Sequence, residues 1–136
     1  MRIAAEALDA VKAHAEEGYP YEICGVLLGP SGSRKVTESV RARNIREDRP
    51  QDRYEIDPLE LLRIQRKADD DRKDVLGFYH SHPDHPAIAS VWDDEQMWPG
   101  YVYLIVACQK GKVVDANGFV TMTYGGPHRN EPVEVA

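Results

Sequence analysis

The sequence predicts a single α/β domain built on a mixed sheet, and three observations carry that expectation. Apolar residues recur with a helical period in two separate stretches, one near the N-terminus and one after Asp57. Short apolar runs bounded by glycine and proline lie between and after them, as strands do. One of these runs, Tyr101 to Cys108, is unbroken, which suits a strand covered on both faces. At 136 residues the chain is long enough to bury one core without staples.

Taken in order, Ile3, Ala4, Ala7, Leu8, Val11 and Ala15 form a helical stripe from Ile3 to Glu17, and Gly18 ends that helix. Tyr21 to Leu28, between Pro20 and Gly29-Pro30, reads as a central strand whose one charge is Glu22. A carboxylate there must be paired, protonated or facing a cleft, because burying it alone costs several kcal/mol. Ser31-Gly32-Ser33 makes a turn, and Val36 to Ala42 pairs back on the preceding strand. Arg34 to Arg53 then holds seven basic and four acidic residues, either a docking surface for an acidic partner or a solvated loop. Asp57-Pro58-Leu59-Glu60 is a helix start with Asp as N-cap and Pro at the first position. That second helix runs to about Lys67 or Ala68, and the charged run Asp69 to Asp74 leads into a strand ending at Leu76 to Tyr79.

Asp93 to Met97 forms a short helical turn stopped by Pro99-Gly100. Lys110-Gly111 turns the run Tyr101 to Cys108 into a partner strand around Val113, and Asn117-Gly118 signals a further hairpin into Phe119 to Tyr124. Residues 125–136, opening Gly125-Gly126-Pro127, are polar and proline-broken, so the domain is expected over 1–124 with a mobile tail beyond.

A formal charge of −6 and a pI near 5.3 argue against general nucleic-acid or membrane-surface binding. No apolar run approaches the ~18 residues of a membrane span and no signal-peptide core is present, so a cytoplasmic location is expected. Cys24 and Cys108 sit inside apolar runs and read as buried thiols. Alternation puts Cys24 on the side of Glu22, which keeps a thiol ligand open.

The chemistry concentrates between Gly77 and Asp93. His80 and His82 sit where strand becomes loop, with Pro83 and Pro86 forcing the chain out of regular structure. Residues two apart in extended backbone share a side and lie ~6.6 Å apart, so both imidazoles can converge on one ion. Asp93 follows eleven residues after His82 as a third ligand, with Ser90 as a nearby hydroxyl. Two neutral nitrogens and a carboxylate leave a fourth tetrahedral position open, as catalytic zinc requires. The same Ser90-Val91-Trp92-Asp93 segment also has the form of a helix cap, and an Asp can cap and ligate together. Two histidines and a carboxylate equally form the facial triad of non-haem iron oxygenases.

His-Ser-His-Pro, six residues, Ser, two residues and Asp resemble the metal-binding motif of the JAMM, or MPN-plus, zinc peptidases. Tyr19-Pro-Tyr-Glu22-Ile-Cys-Gly-Val-Leu-Leu-Gly29 resembles that family's N-terminal glutamate segment, and Tyr101 to Val106 its strand after the motif. Arg43-Asn44 and Tyr54 to Pro58 are weaker matches. The resemblance implies a cytidine-deaminase-like JAMM fold, a curved mixed sheet flanked by two main helices and a short one after the motif. It implies His80, His82 and Asp93 as zinc ligands, Glu22 as general base and Ser90 as an intermediate-stabilising hydroxyl. Asp84 and His85 fall outside that ligand set. The implied substrate is a ubiquitin-like or sulfur-carrier protein cleaved after its C-terminal Gly-Gly. Only seven residues separate Asp93 from Tyr101, which resembles the compact bacterial members rather than those specialised for ubiquitin chains. Relatives lacking the ligands serve as interaction scaffolds, whereas all five matched positions are filled here.

Overall fold

The computed structural model describes residues Met1–Ala136. In chain order the elements are β1 (Arg2–Ile3), α1 (Ala5–Gly18), β2 (Cys24–Pro30), β3 (Lys35–Val36), β4 (Glu38–Ala42), α2 (Pro58–Asp70), β5 (Lys73–Pro83), α3 (Val91–Glu95), β6 (Val102–Gln109), β7 (Lys112–Thr121), β8 (His128–Glu131) and β9 (Glu134–Val135). Six strands form one sheet in the order β4-β2-β5-β6-β7-β8. Its central pair, β5 and β6, is parallel and its other neighbours are antiparallel. A second sheet, β3-β1-β9, is parallel and small.

The pleat sorts side chains to two faces. On one face α1 buries Ala7, Leu8, Val11 and Ala15 against Leu27, Tyr79, Leu104 and Val106. On the other, Tyr103, Ile105, Ala107 and Phe119 pack beneath Ala87, Ala89 and Met97, which lie around α3. Ala68 of α2 closes over Val26 and Leu28 on that same side. The ring of Tyr79 lies across Gly25, where a Cβ would come within 2.3 Å of it. Its hydroxyl meets His14 Nδ1 of α1 at 2.8 Å, which ties helix to sheet.

Four boundaries differ from the sequence expectation. Ile3 belongs to β1, opposite Val36, and α1 begins at Ala5; a strand residue four before Ala7 continues the helical stripe by coincidence. α2 extends to Asp70, because the charged run is exposed and suits a solvent-facing last turn. Asn117-Gly118 is not a hairpin: both residues lie inside β7, opposite Ile105 and Leu104. The turn expected at Lys110-Gly111 is present, with φ angles of 49° and 84°, and the next reversal comes between Thr121 and His128, at Gly125 and Gly126 with φ of 84° and 89°. Gly118 is needed instead for close approach of β8, since a Cβ there would sit 2.4 Å from the Glu131 carbonyl. Finally, residues placed beyond a domain end at 124 pair into the sheets, β8 on β7 and β9 on β1. Their polarity is that of sheet edges, and the Met1 ammonium holds them through Glu131 Oε1 at 3.1 Å.

Candidate metal centre

The register of β2 on β5 builds the site. Cys24 lies opposite His80. Ser81 N donates to the Ile23 carbonyl at 3.1 Å, and Ile23 N donates to Ser81 Oγ at 3.0 Å. One step further along that antiparallel ladder, Glu22 stands across from His82 on the same face. On the other flank, His80 and His82 are registered with Ile105 and Ala107 of β6. Both histidines are therefore interior strand residues rather than residues of a strand-to-loop boundary, because β5 keeps its pairing as far as Pro83.

Beyond Pro83 the chain turns and returns α3 to the same face. Asp84 is held away from the cleft by accepting bonds from the Tyr19 hydroxyl at 2.5 Å and Lys110 N at 2.8 Å. His85 lines the cleft's edge without a partner. Ser90 is the N-cap of α3: its Oγ accepts from Asp93 N at 3.1 Å, and Asp93 Oδ2 accepts from Ser90 N at 2.8 Å. The capping box thus aims the Asp93 carboxylate, which lies 3.1 Å from His80 Nε2 and 3.0 Å from His82 Nε2. The two Nε2 atoms are 3.3 Å apart.

These distances match a metal donor set. Tetrahedral ligands at zinc bond lengths stand ~3.3 Å from one another. His82 Nδ1 lies 2.8 Å from the Pro86 carbonyl, which can only accept, so that nitrogen carries the proton and Nε2 presents a lone pair. His80 Nδ1 is buried without a partner, so the lone pair of His82, the Nε2 of His80 and the Asp93 carboxylate converge as a donor set that a shared cation would satisfy. Ligand atoms of Glu22, His80 and His82 also lie within 4.8 Å of one another, so two carboxylates flank the histidine pair. They differ in restraint: Asp93 is fixed by Ser90 N, whereas the Glu22 carboxylate accepts no hydrogen bond and opens onto a cleft of about 270 Å³.

Electrostatics separates them further. Burial pushes Glu22 up to about 8, only partly offset by His82. Burial would also raise Asp93, but His80, His82 and the Ser90 N–H hold it well below the usual carboxylate range. Burial lowers His80. For His82 the burial penalty is outweighed by Asp93 and the Pro86 carbonyl, so its pKa rises.

All five residues singled out in the sequence, Glu22, His80, His82, Ser90 and Asp93, are brought to one cleft. Cys24 is not: its Sγ lies 3.9 Å from the Ala42 carbonyl, and burial pushes the thiol up to about 12, which keeps it protonated. Several neighbours carried little or no signal in the sequence. Tyr54 stacks on His80 with ring centroids 4.5 Å apart. The Asn44 amide nitrogen donates to the carbonyls of Glu22 and Arg53 at 3.1 and 3.0 Å, and its oxygen accepts from Arg46 N and Glu55 N at 3.0 and 3.1 Å. Tyr54 to Pro58 and Arg43-Asn44 hinted weakly at these two; nothing local marked Arg53, whose guanidinium lies over Trp92. No helix is long and apolar enough to cross a membrane.

Comparison with known proteins agrees with this geometry. The chain is 42% identical over 110 residues to a desampylase from Haloferax volcanii, covering 77% of this chain and 78% of that one. It is 35% identical over 80 residues to a CysO-cysteine peptidase from Mycobacterium tuberculosis, covering 59% of this chain and 53% of the relative. Its fold superposes on a JAB1/MPN domain protein from Archaeoglobus fulgidus with a TM-score of 0.64 at 16% identity, covering 100% of this chain and 99% of the other. Residues 4–120 match the family described as prokaryotic homologues of the JAB domain, and the chain belongs to that family, a branch of the JAMM/MPN proteins.

Proposed function

We propose that this chain is a JAMM-type peptidase that hydrolyses the amide or isopeptide bond after the C-terminal Gly-Gly of a ubiquitin-like or sulfur-carrier protein, with zinc held by His80, His82 and Asp93. The observation that carries the proposal is an unbonded, buried Glu22 carboxylate beside two histidines whose Nε2 atoms face one carboxylate at 3.0 and 3.1 Å. The Haloferax desampylase and the mycobacterial CysO-cysteine peptidase support the substrate class. The free thiols Cys24 and Cys108 suit a reducing, cytoplasmic setting.

When bound, zinc supplies a Lewis acid for the amide carbonyl and an activated water at neutral pH. Glu22, whose carboxylate is free of hydrogen bonds and stands beside the histidine pair, would be held ionised by the bound cation; it takes the proton from water and passes it to the leaving amine. Ser90 uses an oxygen lone pair to accept from Asp93 N, so its O–H remains free to donate to the developing oxyanion. Pro83 and Pro86 narrow the cleft, and glycine at the scissile bond fits because it brings no side chain. An iron oxygenase built on the same histidines and Asp93 leaves Glu22 without a role.

Recombinant protein loaded with zinc is tested on a carrier ending in Gly-Gly plus one further residue, and on the same carrier ending in Gly-Val plus that residue. Cleavage after Gly-Gly, with the Gly-Val rate cut at least ~10-fold while carrier docking is kept, is the expected result. Equal cleavage of both carriers, or efficient digestion of unrelated unfolded protein, identifies a general peptidase instead.

A further inference from the structure

The cleft beside Glu22 contains one permanent cation, Arg53. Four other arginines of the basic segment are each paired with a carboxylate, Arg41 with Glu17, Arg43 with Asp57, Arg46 with Asp48 and Arg49 with Asp52, which also lines the cleft, while Arg34 and Lys35 lie outside the cleft. Arg53 forms no ion pair. Its Nη1 donates to the Asp52 main-chain carbonyl at 3.1 Å, and its guanidinium lies 4.8 Å from the centre of the Trp92 ring. A carbonyl and an aromatic face orient a guanidinium without cancelling its charge. Trp92 belongs to the helix that carries Asp93, and the Arg53 carbonyl shares the Asn44 amide with the Glu22 carbonyl. The cation is thus placed by the same elements that place the reacting groups.

We propose that Arg53 is a specificity-determining residue that binds the free α-carboxylate of the amino acid released by cleavage. This rests on the hydrolytic function above and narrows it: the favoured substrate is a carrier tail extended by one amino acid through its α-amino group, rather than a tail joined to a lysine side chain inside a folded protein. Hydrolysis breaks the bond between the last glycine's carbonyl carbon and the leaving nitrogen; water's hydroxyl goes to the carbon and its proton to the amine. The released residue has its carboxylate one carbon from that nitrogen. A planar guanidinium can take this anion with two parallel N–H bonds, which neither a carboxamide nor a protein-embedded lysine reproduces. A cleft of about 270 Å³ suits one residue better than a folded leaving group.

The test uses a carrier ending in Gly-Gly-Ala as the free acid and as the C-terminal amide, with the intact zinc-loaded enzyme. The free acid is expected to be cleaved with a kcat/KM roughly 10- to 100-fold higher, mostly through KM. In Arg53→Gln that ratio falls to near one, and Arg53→Lys restores part of it. A wild-type ratio near one, or a ratio retained in Arg53→Gln, overturns the proposal. Binding of acetyl-Gly-Gly-Ala acid and amide to the metal-free protein, followed by NMR, gives a readout independent of turnover. There the acid must bind more tightly in the wild type and lose that advantage in Arg53→Gln; equal or undetectable binding of both also overturns it. Absence of cleavage of every carrier together with a retained acid preference in binding would instead count against the hydrolytic function and leave the carboxylate site standing.

Discussion

The Asn44 amide donates to the Glu22 main-chain carbonyl across 3.1 Å, and so fixes the segment that enters β2 to the loop that carries Arg53 and Tyr54. Asn44 makes four hydrogen bonds in a half-buried position, and only a carboxamide supplies two donors and a shared acceptor of this kind. Asn44→Ala is therefore expected to lower stability by roughly 2–3 kcal/mol and to raise KM, read by thermal unfolding and steady-state kinetics. A variant with wild-type melting temperature and wild-type KM contradicts this role.

The convergence of His80, His82 and Asp93 predicts one zinc per chain. Elemental analysis should find it in the wild type and find most of it lost in His82→Ala. Full occupancy in a His80→Ala/His82→Ala double variant would place the metal elsewhere.

Glu22 and Asp93 differ in their restraint, and that difference is testable. Glu22→Gln should keep its zinc and its fold while hydrolysis falls by ~10²-fold or more, because the amide cannot accept water's proton. Loss of zinc in that variant would make Glu22 a ligand, in line with its position within 4.8 Å of both histidines.

Stability should fall in mild acid through His14. Burial, helped by the Arg41 charge, lowers its pKa to about 4, and Nδ1 lies 2.8 Å from the Tyr79 hydroxyl, so the neutral ring is the folded form above that pH. The unfolded chain binds the proton near 6.5 and the folded chain near 4, so the contribution is complete above 6.5 and lost as pH drops toward 4. The ring is half exposed, so screening reduces the effect to about 1 kcal/mol. Melting curves at pH 7 and pH 5 should show a smaller acid loss in His14→Asn, which keeps an acceptor but does not titrate. An identical loss in both proteins rules His14 out.

Gly25→Ala is expected to destabilise by roughly 1–3 kcal/mol, since its methyl would meet the Tyr79 ring at 2.3 Å inside the core. Denaturant unfolding measures this, and an unchanged midpoint would mean that the ring moves freely.

Much of this was legible in the sequence where causes are local. The helix start at Asp57-Pro58, the cap from Ser90 to Asp93 and the spacing of His80 and His82 each depend on residues within one turn or one pleat. Glu22 stood out because it is the lone charge in an apolar run, but its place beside His82 follows from a ladder joining segments far apart in the chain. Arg53 and Trp92 were opaque for the same reason, and Tyr54 was marked only as part of a weak match: the tertiary return of α3 and the loop gives them their partners. Asn117-Gly118 misled because the residues that favour a turn also serve a close strand approach, and Asn117 instead donates to the Ala87 carbonyl at 2.9 Å.

His80 and His82 hang from a strand flanked by β2 and β6, and apart from Ser81 Oγ, which takes the Ile23 N–H, the pairing is made by main-chain atoms. The fold is thus separable from the ion. A lineage can exchange either imidazole for another residue, forfeit chemistry and still inherit an intact sheet on which a new occupation can be built.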